Sequence, residues 1–198
     1  MIKPDLQRLL DLHELLNKFA AIERIVHIKR ANRQTLESDT EHSYNLAMTA
    51  WFIADYFPNL DKNKVIALAL VHDLVEVHAG DTFAFADKEL LDSKSDREEA
   101  ARQQLIKEWE DFPDLHTQIE EYEARQSPEA CFVYALDKIM PMLAIYLNEG
   151  HTWHQENLTL DRIHNEKSKK IRLSPEIAPY WEELYDLLIN SPELIAKS

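Results

Sequence analysis

Several side chains in this sequence stand where packing gives no reason for them. His72 and Asp73 end the apolar run Val65-Ile66-Ala67-Leu68-Ala69-Leu70-Val71. Adjacent helical residues point roughly 100° apart, so the two can converge on one ion lying between their directions. Glu76 is four residues after His72 and three after Asp73, on the same helix face. Asp81 follows just beyond Gly80, the expected helix stop. His42 lies four residues before Leu46, one turn up the apolar stripe of its own segment, and so faces inward. Asp137 is embedded among Phe132, Val133, Leu136, Ile139, Met140, Leu143 and Ala144. A buried carboxylate is costly alone, so it calls for a metal, for Lys138 or for a distant arginine. Each of these residues has a bland reading as a satisfied core histidine or an exposed acid. Together they direct two imidazoles and two carboxylates inward from three helices, a set suited to a metal ion.

The order His42, His72-Asp73, Asp137 resembles the HD superfamily of metal-dependent phosphohydrolases. The strings Glu41-His42-Ser43, His72-Asp73-Leu74-Val75-Glu76, Ala79-Gly80-Asp81-Thr82 and Ala135-Leu136-Asp137-Lys138 are similar to the subfamily containing bacterial 5′-deoxyribonucleotidases, over roughly Phe19 to Trp153. The resemblance implies an all-α, compact multi-helix HD-domain bundle with a metal site between helices. It also implies metal ligation by His42, His72, Asp73 and Asp137, with Glu76 and Asp81 as catalytic acids beside the reacting phosphate. Such a ligand set mixes borderline nitrogen with hard oxygen and suits one Mn²⁺, Co²⁺, Fe²⁺, Zn²⁺ or Mg²⁺ ion per chain. Four ligands leave an octahedral ion two positions, one for water and one for a phosphoryl oxygen. Glu76 can orient or deprotonate that water, or hold a proton for the leaving alkoxide, and crowded carboxylates raise one pKa. The deoxyribonucleotidase branch carries an Arg-Trp pair upstream of the first histidine. Here the segment reads Arg24-Ile25-Val26-His27-Ile28-Lys29-Arg30, with no tryptophan, and Arg30 or Arg33 is expected to supply positive charge to the substrate phosphate.

Apolar residues recur every three or four positions almost throughout, which predicts helices. A first helix is expected from about Pro4 to His27 with Leu6, Leu9, His13, Leu16 and Ala20 inward, then a loop over Lys29–Ser38. A second begins at Asp39 or Thr40, buries Leu46, Ala50, Ile53 and Phe57, and stops at Pro58. Asp61 caps a central third helix, apolar all round and ended by Gly80. After roughly fourteen loop residues, Ser95 and Glu98 form a capping box for a fourth, with Ala101, Leu105 and Trp109 inward. Ser127-Pro128-Glu129, Ser174-Pro175-Glu176 and Ser191-Pro192-Glu193 each read as a helix start. Pro141 predicts a kink at Asp137. His116 and His164 read as solvated, His78 as surface, and Glu120-Glu121-Tyr122-Glu123 as an exposed helix face.

Composition narrows the function classes. The 198 residues, 45% of them hydrophobic, make one large domain with a sizeable core. Two glycines, Gly80 and Gly150, are too few for a P-loop or a GxGxxG turn. A net charge of −14 disfavours nucleic acid and anionic membrane surfaces as partners. The single cysteine, Cys131 in an apolar stretch, reads as a buried reduced thiol. With no apolar signal core in Met1-Ile2-Lys3-Pro4-Asp5 and no continuous apolar membrane span, a cytoplasmic protein is expected. His151, Trp153 and His154 cluster after Gly150, lining a pocket or an interface. Aromatics near Trp153 and Trp181, with the dimers common among the relatives, suggest a homodimer. The function expected is a metal-dependent phosphomonoesterase acting on a small phosphorylated substrate, foremost nucleoside 5′-monophosphates. Hydrolysis of guanosine tetraphosphate or of nucleoside triphosphates is one alternative. A non-catalytic helical regulatory protein with a structural metal is the other.

Overall fold

The computed structural model describes residues 3–31 and 33–196, which excludes Met1 and Ile2 of the N-terminal stretch read above. Among them the chain is helical apart from one hairpin, in the order α1 (Leu6–Ala20), β1 (Glu23–Arg30), β2 (Arg33–Ser38), α2 (Asp39–Ala54), α3 (Lys62–Val71), α4 (Glu76–Ala79), α5 (Lys88–Glu108), α6 (Pro113–Ala124), α7 (Pro128–Leu147), α8 (His151–Gln155), α9 (Leu160–Ile171) and α10 (Ala178–Ile189), closed by a short 3₁₀ turn, Pro192–Leu194.

The hairpin corrects the expected long first helix and the loop after it. Ile22, Ile25, Val26, Ile28 and Thr35 are β-branched and favour extended backbone. β1 and β2 pair antiparallel with His27 opposite Leu36, Ile28 opposite Thr35 and Arg30 opposite Arg33. Helix α1 is also rotated from expectation. It buries Leu15 and Phe19 against Leu74, Val75, Leu105, Trp109, Leu115 and Ile119. Leu6, Leu9, Leu16 and His13 face solvent, with Leu6 71% exposed. Both stripes have helical spacing, and the tertiary partner decides between them.

Helix α2 begins with a full capping box, in which Ser38 and Glu41 satisfy each other's backbone amides. That start places Leu46, Ala50 and Ile53 in the core as expected, with Phe57 partly buried. Asp61 caps α3 through the amides of Asn63 and Lys64. The helix does not continue to Gly80. It ends at Val71, where His72 Nδ1–H takes the Ala69 carbonyl at 2.9 Å, and Leu74 and Glu76 close tight turns onto Val71 and Asp73. Gly80, at φ +74°, stops only the short α4. Leu70 is half-exposed, so α3 is not surrounded on every side.

Asp87, not Ser95, caps α5 by accepting from the Leu90 amide at 2.9 Å, so the loop spans only Gly80 to Asp87. Ala101, Leu105 and Trp109 are buried as expected. Ser127 caps α7 with Pro128 in the first turn, and α7 runs on through Pro141. Ser174-Pro175-Glu176 instead forms a turn, with Ser174 Oγ on Glu176 Oε2 at 2.7 Å, and α10 starts at Ala178. Ser191 opens only the 3₁₀ turn. Gly150, at φ +73°, packs so close to Leu194 that a Cβ would fall 2.0 Å from its carbonyl oxygen.

The larger core surrounds α7, whose Phe132, Val133, Leu136, Ile139 and Ile145 meet Leu46 and Ala50 of α2, Leu68 of α3 and Ile163 of α9. Helix α7 is long and apolar enough to cross a membrane, and more than half of it is buried in this core. Trp153 and Trp181 are fully buried, so neither offers the exposed aromatic surface expected of them. Cys131 is half-buried and its thiol donates to the Arg125 carbonyl. His116 and His164 are half-buried as well: His116 Nε2 bonds the Trp109 carbonyl, and the His164 ring sits 4.4 Å from that of Tyr185.

Candidate metal centre

Three parts of the chain meet at one buried cluster. The capping box at Ser38 fixes the register that turns His42 inward from the first turn of α2, and the break after Val71 presents His72 and Asp73 from a turn. Asp137 comes from the middle of α7. Ligand atoms of His42, His72, Asp73 and Asp137 all lie within 4.8 Å of one another. His42 Nε2 is 3.1 Å from Asp137 Oδ1, and His72 Nε2 is 3.0 Å from Asp73 Oδ2 and 3.7 Å from Asp137 Oδ1.

The His72 ring tests whether this cluster fits a cation. Its Nδ1 must carry the proton given to Ala69, because a carbonyl only accepts. Its buried Nε2, the acceptor of the neutral ring, faces carboxylate oxygens and has no hydrogen-bond partner among the described residues. A lone pair facing two carboxylates is repulsive unless a positive ion lies between them. The residues present therefore fit a divalent cation.

The surroundings tune these groups. Burial pushes the Asp137 carboxyl up, but Lys138 Nζ at 2.5 Å and the His42 ring hold it well below the usual carboxylate range. Tyr122 O–H donates to Asp137 Oδ2 at 3.0 Å. Burial likewise opposes ionisation of Asp73, and the Arg24 guanidinium beside it favours it. Arg24 Nη1 donates to Asp39 Oδ1 at 3.1 Å and to Asp73 Oδ2 at 2.9 Å, while its Nε is 3.7 Å from buried Glu37. Glu37 Oε2 also faces His42 Nδ1 at 3.5 Å.

Glu76 is 5% exposed and its Oε2 has no partner among the described residues. It reaches the cluster through the tight turn and α4 rather than along the face of one long helix. A carboxylate oxygen of each of Asp39, Asp73 and Glu76 falls within 4.8 Å of the others. Burial, followed by the carboxylates of Asp73, Asp81 and Asp39, pushes Glu76 up to about 11, and Asp39 is pushed up to about 6. Asp81 is raised by burial as well. Glu76 and Asp81 line a cavity with about 950 Å³ of empty space, part of it open to solvent, together with Arg24, Phe85, Lys138 and Lys167.

Arg30 and Arg33 are not brought to this cavity. They oppose each other at the exposed end of the hairpin, and Arg30 pairs with Glu41. Arg24, earlier on β1, is the arginine at the centre. Tyr122 is buried, not part of an exposed face, and its spacing from Leu115 and Ile119 of α6 carried that signal. Glu37 and Lys167 carried no signal of their own. His78 is half-buried and paired with Glu108, away from the cluster.

Comparison with known proteins follows the same geometry. The chain is 40% identical over 109 residues to human 5′-deoxynucleotidase HDDC2, covering 54% of this chain and 52% of that protein. It is 34% identical over 154 residues to the Xenopus laevis protein of the same name, covering 76% and 73%. The match thus spans about half the length of the human relative. A crystal structure of a predicted metal-dependent phosphohydrolase from Magnetospirillum magnetotacticum MS-1 superposes with a TM-score of 0.80 at 27% identity, covering 100% of both chains. The PH0347 protein from Pyrococcus horikoshii OT3 shares the fold, with a TM-score of 0.62 at 23% identity over 90% of this chain and 97% of that one. With the HD domain profile matching residues 22–178, which contain every residue of the cluster, the chain belongs to the HD domain family.

Proposed function

We propose that this protein is a metal-dependent phosphomonoesterase acting on nucleoside 5′-monophosphates, with one divalent ion per chain held by His42, His72, Asp73 and Asp137. The observation that carries the reading is the unpartnered His72 Nε2 between two carboxylates, in a cluster whose Asp73 and Asp137 line the same cavity as the buried, unpartnered Glu76 Oε2. The relatives named 5′-deoxynucleotidase support the substrate class. A divalent ion bound there supplies positive charge to phosphoryl oxygens and acidifies water.

The chain's own residues do the rest. Glu76 gives its proton to the nucleoside 5′ oxygen as the P–O bond breaks, and regains one from the water that has attacked phosphorus. Asp81 accepts a hydrogen bond from that water. Arg24 keeps the Asp73 carboxylate aimed at the cluster, and Tyr122 and Lys138 do the same for Asp137. Glu76→Gln is the test: metal content stays at the parent level while release of phosphate from nucleoside monophosphates falls by roughly 10² or more. Free phosphate as product, rather than pyrophosphate, separates this activity from nucleoside triphosphate hydrolysis.

We further propose a homodimer through α2, in a cytoplasmic setting where Cys131 stays reduced. Tyr44, Met48, Trp51 and Phe52 are large and exposed, with Met48 four residues after Tyr44 and three and four before Trp51 and Phe52, and Tyr56 in the turn beyond α2 puts its ring 5.6 Å from that of Phe52. Taking about 200 Å² per side chain and a mean exposure of roughly 60%, the five offer a face of roughly 600 Å², close to the roughly 800 Å² per partner of a standard interface. Its rim pairs Asp55 with Lys62 and is locally neutral on a chain of net charge −14, which lets two copies meet. Light scattering on Trp51→Glu/Phe52→Glu, with a fall from dimer to monomer mass, tests it.

A further inference from the structure

Five cations line the cavity: Arg24, Lys94, Lys138, Lys167 and Lys170. Four are committed to carboxylates of this chain. Arg24 holds Asp39 and Asp73, Lys94 Nζ lies 3.2 Å from Glu98, Lys138 holds Asp137, and Lys170 pairs with Glu166. Lys167 makes no side-chain hydrogen bond or ion pair with any described residue, although it is only 5% exposed. Its Nζ sits 5.6 Å from the centre of the Phe85 ring, a weak partner for a charge.

Helix α9 puts it there. Ile163, Lys167 and Ile171 recur every fourth residue and are all buried, so the lysine occupies a core position of an amphipathic stripe. Packing alone calls for an apolar side chain at that position. The stem lies along the core while the amine reaches the cavity wall. Burial, reinforced by the charge of Lys138, pushes this amine down to about 7, as expected of an ammonium that lacks an anion.

We infer that Lys167 binds the phosphoryl group of the ligand, supplying the one uncommitted ammonium among the described residues lining the cavity to an oxyanion seated in front of Asp137 and Lys138. The inference rests on the phosphomonoesterase reading. A tetrahedral dianion has oxygens enough to meet the metal cluster and this ammonium at once, whereas Lys138 and Arg24 are already neutralised by their own carboxylates.

Calorimetric titration of inorganic phosphate into the metal-containing protein reads this site without turnover. Lys167→Gln is expected to weaken phosphate binding about tenfold or more with metal content unchanged, and to raise KM more than it lowers kcat. Lys167→Arg, which keeps a cation there, is expected to stay within about threefold of the parent. Parental phosphate affinity in Lys167→Gln overturns the inference, as does a parent protein that binds no phosphate. Should Lys167→Gln fold poorly, Lys167→Met replaces it under the same criteria, since it keeps an apolar stem against the core. A parent that hydrolyses no nucleoside monophosphate, yet loses phosphate binding with Lys167→Gln, sinks the phosphomonoesterase reading and leaves the inference standing.

Discussion

In the neutral ring that gives its N–H to the Ala69 carbonyl, His72 Nε2 is an acceptor 3.0 Å from Asp73 Oδ2, and the two make no hydrogen bond. Two acceptors at that distance mark a place for a cation. Removing the metal should therefore destabilise the fold. At about 1,000-fold saturation a ligand contributes roughly 4 kcal/mol, and in a chain this size each kcal/mol shifts Tm by roughly 2–4 °C. A fall of roughly 10 °C in calorimetric Tm on chelation is expected. Asp137→Ala should abolish both the metal, by elemental analysis, and the shift.

Tyr122→Phe deletes only the O–H that donates to Asp137 Oδ2. Outer partners of metal ligands are worth about 10- to 100-fold in metal affinity. Competition with a chelator should show a loss of that size in Tyr122→Phe, with little change in helical content.

Arg24→Met leaves buried Asp39 and half-buried Asp73 without their shared guanidinium. Breaking a buried ion pair from one side costs about 3–5 kcal/mol. Denaturant unfolding should show that loss, and adding Asp39→Asn should recover part of it by removing one stranded charge. Additive losses in the double variant would mean that the two residues do not act as a pair.

Lys167 makes stability depend on pH. Its amine is held at about 7 in the fold against 10.5 for the ordinary value, so between the two the unfolded chain binds a proton that the folded chain does not. Stability from this group is complete above 10.5 and is lost as pH falls through 7. In phosphate-free buffer, the Tm of the parent relative to Lys167→Met should rise from pH 6.5 to pH 9.5. A constant difference would show that the amine titrates normally.

Much of this protein is written locally. Asp61 and Ser127 cap their helices where the sequence places them, because a cap needs only a side-chain oxygen and amides two or three residues on. The core stripe Leu46, Ala50, Ile53 follows from spacing, and the odd polar residues His42, His72, Asp73 and Asp137 stand out against apolar neighbours in the chain itself. Tertiary structure decided what depends on distant partners. Which of two apolar stripes α1 buries was set by Trp109, Leu115 and Ile119, about a hundred residues away. The hairpin exists because β2 lies opposite β1, and it carries Arg24, rather than Arg30 or Arg33, to the metal cluster. Lys167 looks like any helical lysine in the sequence. Only the packing of α9 on α7 buries it, strips it of a partner and turns its amine toward the cavity.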